Sequence, residues 1–348
     1  MDATAPVLET FDLGYSYAPG KFAVRHLSIG LGRGEVLGLL GRNGAGKTTT
    51  VRLLTTLLPP TEGTATVLGQ DIRNGGRELR SRLGVVLQSE SLDFVTVERN
   101  LTLYGFLWGV PREVAKSRAE EMIELFELGP ARRRKPWALS GGERRRFQVA
   151  RELMHDMEIL FLDEPTVGLD AIARRRILRY LRDRARGGLS IVFTTHILHE
   201  ADTLCDRIAV LHLGRLIALD SSEQLKRKHG GAREVSLTFA TPLSAALRAE
   251  LTAALAARGA AVLPPEPSAD GAGRVVFQAA AAEELLPWVT GWSQLRGLAV
   301  DRLSVEAVTL ESAFLGMIAQ TDEDPSPQGE RSNPLPPADP TGGAGGAS

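Results

Sequence analysis

The chain has 348 residues, enough for about two domains, and its formal net charge of −1 gives no electrostatic reason to expect a nucleic-acid partner. The single cysteine, Cys205, excludes an internal disulfide and fits a reducing compartment. No signal sequence is visible, and no run approaches the roughly 20 apolar residues that span a bilayer.

A phosphate-binding loop is predicted early in the chain. The strand-like run EVLGLL (Glu35 to Leu40) is followed by GRNGAGKT (Gly41 to Thr48), and then by leucines at helical spacing. Glycines in the pattern G-x-x-x-x-G-K-[ST] let backbone N–H groups approach phosphates, and the helix N-terminus favours anions. We expect Lys47 to reach the β- and γ-phosphates and the Thr48 hydroxyl to ligate Mg²⁺. The predicted nucleotide-binding residues of this loop are Gly41, Asn43, Gly44, Ala45, Gly46, Lys47, Thr48 and Thr49.

The segment from Phe94 to Trp108 is the most aromatic stretch of the chain, with Phe94, Tyr104, Phe106 and Trp108 close together. Any one of these side chains could belong to the core. Together they exceed what a short helical insert can bury, so we predict that some of them form an exposed apolar patch beside a groove for a partner helix.

The sequence LSGGE (Leu139 to Glu143) predicts the start of a helix. Ser140 is a good N-cap, and Glu143 completes a capping box with it. Gly141 and Gly142 keep this N-terminus bare, so that the backbone can close on a phosphate. The arginine runs at 132–134, 144–146 and 174–176 are interpreted as solvated helix faces, the second with a potential role in holding nucleotide or a partner.

Two carboxylates end the next apolar run, ILFLDE (Ile159 to Glu164). This pattern is typical of a buried parallel strand that delivers acidic residues at its carboxyl end. Asp163 is predicted to hold Mg²⁺, and Glu164 is the candidate general base for the attacking water. A further strand-like run, SIVFTTH, ends in His196.

Together, the phosphate-binding loop, LSGGE and ILFLDEPT resemble the nucleotide-binding subunit of an ABC transporter. The resemblance implies that Ser140, Gly141 and Gly142 face the γ-phosphate held by a second copy. It also implies roles for residues whose pattern alone is not specific. Gln88 would sense Mg²⁺ and the attacking water, Asp170 would lie in the loop that crosses to the partner subunit, His196 would contact the γ-phosphate, and Tyr17 or the nearby Tyr15 would stack on adenine.

The resemblance covers residues 7 to 229 and implies an α/β fold of the P-loop NTPase, ABC type. We expect a parallel sheet core, an antiparallel β subdomain and a helical insert after Gln88. Residues 230–320 alternate strand-like and helix-like segments and predict a small C-terminal α+β domain. It resembles that of the drug-exporting, daunorubicin-resistance-like branch, because VTLESAFLGM is similar to an L-E-x-x-F-L motif. Residues 321–348 are rich in acidic residues, Pro, Gly and Ser and predict a disordered tail.

The sequence predicts an ATP hydrolase that uses Mg²⁺ and serves a bacterial exporter of a hydrophobic drug or antibiotic. We expect an ATP-dependent dimer with a separate integral membrane permease, placed peripherally at the cytoplasmic face of the cell membrane, and no nucleic-acid partner. Exporters of lipid, polysaccharide or sodium remain open. A soluble ABC ATPase acting on ribosomes or DNA is less favoured, because the chain has one phosphate-binding loop and no room for a long coiled coil. A P-loop kinase or GTPase would lack LSGG and His196.

Overall fold

The structure is a computed structural model, and it describes residues 5–87, 94–231, 233–263, 273–279, 282–305 and 308–323. Gln88 lies outside the described residues, as do residues 324–348 of the predicted tail. The last helix continues to Glu323, so residues 321–323 are helical, although the sequence assigned them to a disordered tail.

Within these ranges the strands form three sheets. In chain order the strands are β1 (Leu8–Ala18), β2 (Lys21–Leu27), β3 (Gly30–Leu31), β4 (Val36–Leu40), β5 (Glu62–Val67), β6 (Gln70–Asp71), β7 (Leu83–Val86), β8 (Ile159–Asp163), β9 (Ser190–Thr195), β10 (Arg207–His212), β11 (Arg215–Asp220), β12 (Arg233–Phe239), β13 (Ala261–Val262), β14 (Arg274–Ala279) and β15 (Val300–Val305).

The α-helices of the described part connect these strands. In chain order they are α1 (Lys47–Leu54), α2 (Arg77–Ser81), α3 (Val97–Leu107), α4 (Arg112–Leu125), α5 (Gly141–Glu152), α6 (Ala171–Arg186), α7 (Leu198–Leu204), α8 (Ser222–His229), α9 (Ala245–Ala256), α10 (Ala282–Leu295) and α11 (Leu310–Glu323). None of the described helices combines the length and the apolar composition that are needed to cross a bilayer.

The central sheet has the strand order β11-β10-β4-β9-β8-β7, and its neighbouring strands are parallel except for β10 and β11. Strands β4, β8 and β9 are buried along their whole length, which explains their largely apolar sequences. Because parallel strands end at the same edge of a sheet, the loops that follow β4, β8 and β9 meet there. The predicted α/β fold with a parallel sheet core is confirmed.

Both faces of the central sheet are covered, and the side chains of β4 alternate between them. Leu37 and Leu39 belong to a core shared with α1 and the antiparallel sheet of β1, β2, β3, β5 and β6. Val36 and Leu40 belong to a second core, to which α3, α4 and α5 contribute. The antiparallel subdomain and the helical insert expected from the resemblance are therefore both present.

The C-terminal segment forms an antiparallel sheet with the order β13-β14-β12-β15, and its pairs all join neighbouring strands in opposite directions. Helices α9 and α10 pack on this sheet around a separate core that includes Leu237, Leu251, Phe277 and Trp292. We refer to this unit, from β12 to β15, as the accessory domain.

The last helix, α11, does not belong to the core of the accessory domain. Its buried residues Leu310, Ala313, Phe314 and Met317 are part of the core that contains α5 and the central sheet, and α11 packs on α8. An added Cβ at Gly230, just after α8, would lie 1.9 Å from Cγ1 of Val308, just before α11. The chain therefore leaves the core of the central sheet near Gly230 and returns to it near Val308, so α11, which the sequence assigned to the 230–320 domain, packs on the core of the central sheet.

Met317→Ala should lower the free energy of unfolding by about 2–5 kcal/mol, because it removes a buried side chain from the core that contains α5 and the central sheet. Leu315→Ala on the exposed side of the same helix is the matched control and should change stability by less than about 0.5 kcal/mol. Urea unfolding of both variants measures this difference. Equal effects of the two substitutions would show that α11 does not stabilise this core.

Candidate active site

The phosphate-binding loop connects the end of β4 to the start of α1. Gly46, the residue before α1, has φ of 102°, a conformation that L side chains rarely adopt. An added Cβ at Gly46 would also lie 2.5 Å from the carbonyl oxygen of Ala23. Ala45 is buried, whereas Asn43 and Gly44 are exposed. The loop is thus fixed on its inner side and leaves its outer side open to a ligand.

The ammonium group of Lys47 is nearly buried beneath this loop. Its Nζ donates to the carbonyl oxygen of Gly41 at 2.8 Å and lies 3.2 Å from Oε1 of Glu164. A cavity of about 390 Å³ beside it is lined by Gly41, Arg42, Asn43, His196 and Phe314. A cation in this position can pair with a phosphate that enters the loop.

Asp163 joins the first helix to two central strands. Its Oδ2 accepts from the Thr48 hydroxyl at 2.8 Å, and its Oδ1 accepts from the Thr194 hydroxyl at 2.7 Å. The carboxylate is fully buried at the end of β8. A carboxylate and a hydroxyl in contact suit the oxygen preference of Mg²⁺, so Thr48 and Asp163 fit the predicted metal role.

Glu164 has an unusual backbone conformation, with φ of 50°. Its N–H donates to the Thr194 carbonyl and hydroxyl oxygens, at 3.2 and 3.0 Å. Its Oε1 lies 3.2 Å from both Lys47 Nζ and His196 Nδ1. Burial raises the pKa of the Glu164 carboxyl, but hydrogen bonds from His196 and Lys47 outweigh burial and hold this pKa below its usual value. Glu164 is thus a charged carboxylate at neutral pH, as a proton acceptor must be.

A buried carboxylate, Glu200, connects the loop after Glu164 to the turn that carries His196. It accepts hydrogen bonds from the Thr166 and Thr195 hydroxyls, both at 2.7 Å, and lies 3.1 Å from Nε of Arg174. The Thr195 hydroxyl also accepts from the N–H of Ile197, which orders the turn around His196. The sequence pattern gave no reason to single out Glu200.

The structure favours Tyr17 over Tyr15 as the residue available to a base. Tyr17 is 57% exposed, and its hydroxyl lies 3.3 Å from the Thr49 hydroxyl on α1. Tyr15 packs against the core, with its ring edge to face with that of Tyr17 at 4.9 Å. The exposed ring beside the phosphate-binding loop is therefore that of Tyr17.

The predicted capping box of LSGGE is confirmed at the start of α5. The Ser140 hydroxyl accepts from the N–H of Glu143 at 3.3 Å, and the Glu143 carboxylate accepts from the N–H of Ser140 at 2.8 Å. The backbone hydrogen bond from Ser140 lowers the pKa of the Glu143 carboxyl, which also pairs with Arg134. Ser140 and Gly141 are exposed, and an added Cβ at Gly141 would meet nothing within 4 Å. This helix N-terminus faces outward, away from packing contacts.

The residues predicted for the active site therefore form two groups. Lys47, Thr48, Asp163, Glu164 and His196 meet at the carboxyl edge of the central sheet. Residues of the second group lie at the starts of α5 and α6, where an added Cβ at Gly142 would lie 3.1 Å from the carbonyl oxygen of Gly168. Asp170 caps α6 by accepting from the N–H groups of Ile172 and Ala173, both at 2.9 Å.

The interpretation of the arginine runs as solvated helix faces is wrong at Arg145 and at Arg174. Arg132 and Arg176 form ion pairs at the surface, with Glu98 and Glu120 and with Glu127, whereas Arg174 pairs with the fully buried Glu200. Arg145 is buried, with 9% of its surface exposed. Helical spacing could have indicated the burial of Arg145, because this residue lies four positions before Val149 on the apolar side of α5.

The aromatic segment is partly exposed, as predicted. Phe94 and Phe106 are exposed, and Trp108 is 39% exposed while it stacks on His155 at 4.5 Å. Tyr104 is more buried, and its hydroxyl donates to the Glu152 carboxylate at 2.8 Å. We define the insert groove as the cavity of about 350 Å³ whose lining includes Leu57, Arg80, Val85, Tyr104, Trp108 and Glu152.

Comparison with known proteins agrees with the resemblance found in the sequence motifs. The sequence family described as ABC transporter matches residues 24–167. The daunorubicin resistance ATP-binding protein DrrA3 of Streptomyces coeruleorubidus is 42% identical over 229 residues, which cover 65% of this chain and 72% of that protein. The Nod factor export ATP-binding protein I of Burkholderia lata is 39% identical, over 67% of this chain and 76% of that protein.

Solved structures include a similar fold. A structure of an ATP-binding subunit of an ABC transporter has a TM-score of 0.60 and 26% sequence identity, and the match covers 64% of this chain and 93% of that chain. The matched fold, the sequence family and the convergence of Lys47, Asp163 and Glu164 agree on the chemistry. The chain belongs to the ATP-binding proteins of ABC transporters and is an ATP hydrolase of that family.

Proposed function

We propose that this chain powers a bacterial exporter of a hydrophobic drug or antibiotic, together with a separate integral membrane permease. The proposal of a drug substrate rests on the 42% identity to a protein named for daunorubicin resistance. The relative named for Nod factor export keeps other exported substrates open as a second candidate, including lipid, polysaccharide or sodium. A soluble ATPase that acts outside transport is less favoured, because both relatives are named for resistance or export.

ATP would bind with its phosphates in the loop from Gly41 to Thr49, and its adenine against the exposed ring of Tyr17. The Lys47 ammonium, which pairs with Glu164 in the free protein, would turn to the β- and γ-phosphates. Thr48 and Asp163 would hold Mg²⁺, which supplies positive charge at the phosphate oxygens. Gln88 is proposed to contact the same metal and the attacking water.

Glu164 would accept the proton of the attacking water. Its lowered pKa keeps it ionised, and once Lys47 turns to the phosphates, His196 remains as the hydrogen-bond partner that orients its carboxylate. The other face of His196 would contact the γ-phosphate. General-base assistance of this kind contributes about 10²–10⁴-fold to the rate.

The active form would be a dimer in which each nucleotide lies between one phosphate-binding loop and the partner's LSGGE. Ser140 and Gly141 support this arrangement, because they are exposed at a helix N-terminus with a free path for a phosphate. Gly168 lies beside Gly142, and Gly168 and Asp170 would contact the partner subunit in the same interface. ATP binding would close the dimer, and hydrolysis would reopen it.

The insert groove would receive a cytosolic helix of the permease. It combines the aromatic faces of Tyr104 and Trp108 with the buried carboxylate of Glu152, whose pKa is raised by burial. The end of β7 forms part of its wall and leads directly to Gln88, so a moving helix in the groove would reach the catalytic residues. Docking there would place the chain peripherally at the cytoplasmic face of the membrane. The net charge of −1 gives no electrostatic reason to propose a nucleic-acid partner.

Glu164→Gln should retain ATP binding and lose about 10²–10⁴-fold in turnover, because the carboxamide cannot accept the water proton. The closed state should then persist, giving an ATP-dependent dimer in size-exclusion chromatography. Lys47→Ala is the control, because it should lose ATP binding and form no such dimer. Wild-type turnover in Glu164→Gln would remove Glu164 from its proposed role.

Ser140→Arg should block hydrolysis and spare ATP binding, because it places a bulky cation where the partner's γ-phosphate would lie. Mixing this variant with inactive Lys47→Ala protein tests whether the site is shared between subunits. A heterodimer would regain one composite site with an intact loop opposite an intact LSGGE, so partial recovery of ATPase activity is expected. Full activity of Ser140→Arg alone would refute the shared site.

Trp108→Glu should weaken docking of the permease by ~2 kcal/mol or more, because it removes a central aromatic anchor of the insert groove. In host cells, the variant should no longer fractionate with membranes and should no longer support export of the drug. The purified subunit should keep its basal ATPase activity. Val114→Glu, at an exposed position of α4 outside the groove lining, is the matched control. Normal membrane association of Trp108→Glu would place docking elsewhere.

A further inference from the structure

The buried guanidinium of Arg145 connects three parts of the active site. Its Nη2 donates to the backbone carbonyl oxygens of Asp163 and Glu164, the latter at 3.0 Å. Its Nη1 donates to the carbonyl oxygen of Leu87 at 2.8 Å and to Oε1 of Gln148 at 3.0 Å. Arg145 belongs to α5, Asp163 ends β8 and Glu164 follows it, and Leu87 is the residue before Gln88.

The acceptor set suits the forked donor group of an arginine. Arginine presents donors in a rigid planar fork, whereas the lysine ammonium is a compact charge at a single point. The carbonyl oxygens of Leu87 and Glu164 accept from two different nitrogens of Arg145, a spacing of donors that the single nitrogen of a lysine does not have. Burial of a charge costs free energy unless such contacts offset it.

The backbone of Glu164 is the point at which these contacts affect chemistry. A non-glycine residue with φ of 50° is strained and persists only when its surroundings fix it. Thr194 fixes the N–H side of Glu164, and Arg145 fixes the carbonyl side. Rotation of this peptide would turn the carboxylate away from the position it takes between Lys47 and His196.

We propose that Arg145 is a positioning residue that sets the direction of the Glu164 carboxylate and ties it to the helix carrying LSGGE. The inference rests on the proposed role of Glu164 as general base. Arg145 acts through the backbone of Glu164 and makes its contacts with carbonyl oxygens, so it affects hydrolysis and leaves the loop that binds phosphate unchanged.

The test compares Arg145→Lys with Arg118→Lys in the full chain. Arg118 is a partly buried arginine that also donates to a carbonyl, that of Met154 at 3.0 Å, outside the active site. Arg145→Lys should lower kcat about 10–100-fold, because small misplacements of a catalytic group cost this much, with the Kd for ATP within about twofold of wild type. Arg118→Lys should keep both constants. Loss of ATP binding in parallel with kcat would overturn the proposal.

A double-mutant cycle separates positioning from general damage. If Arg145 acts through the carboxylate of Glu164, then adding Arg145→Lys to Glu164→Gln should lower the residual single-turnover rate by less than about twofold. An additive loss in the double variant overturns the role of Arg145 and leaves that of Glu164 intact. Wild-type turnover of Glu164→Gln alone would instead overturn the role of Glu164.

Gln148→Met provides a milder variant in case Arg145→Lys does not fold. It removes the side-chain acceptor of the Arg145 guanidinium and leaves the arginine in place. The loss of one hydrogen bond should lower kcat about two- to fivefold without weakening ATP binding. An unchanged kcat in this variant, or a weaker Kd for ATP, would count against positioning by Arg145.

Discussion

Two hydroxyls donate to one buried carboxylate where the central strands end, and the rest of the site is arranged around that contact. Asp163 accepts hydrogen bonds from the hydroxyls of Thr48 on the first helix and Thr194 on the neighbouring strand. These bonds fix the spacing of three separate segments. The phosphate-binding loop can then face Glu164, because Thr194 also holds the N–H of Glu164. A buried carboxylate must have its hydrogen bonds satisfied, and here that requirement aligns the nucleotide loop with the catalytic residue.

Two exposed surfaces, the start of α5 and the insert groove, are connected to the same edge of the central sheet. Glu164 is largely buried at this edge, yet Arg145 connects its backbone to two surfaces that a partner can reach. Arg145 links Glu164 to α5, the helix capped by the exposed Ser140, and its contact with Leu87 reaches the lining of the insert groove. Nucleotide chemistry, dimer contact and permease contact would therefore share a small number of hydrogen bonds.

The sequence predicted the parts whose geometry is local. The phosphate-binding loop, the capping box at Ser140 and the acidic residues at the end of β8 each depend on spacing within a few residues. Arg145 and Glu200 were missed because their partners lie far along the chain, and only the folded sheet brings them together. The packing of Tyr15 against the core, which leaves Tyr17 as the more exposed ring, is likewise a property of the folded chain. An amphipathic pattern identified α11 as a helix but could not indicate which of two cores it covers.

The return of the chain to the ATP-binding part at α11 gives the accessory domain the topology of an insertion. Gly230 and Val308 are neighbours in space, so the whole of β12 to β15 enters and leaves through one narrow neck. A module attached in this way can be exchanged, enlarged or removed during evolution by joining the two ends of the neck, with little disturbance to the enzyme. Shortening the protein from its C-terminus would have the opposite effect, since it would strip a helix from the enzyme before reaching the module.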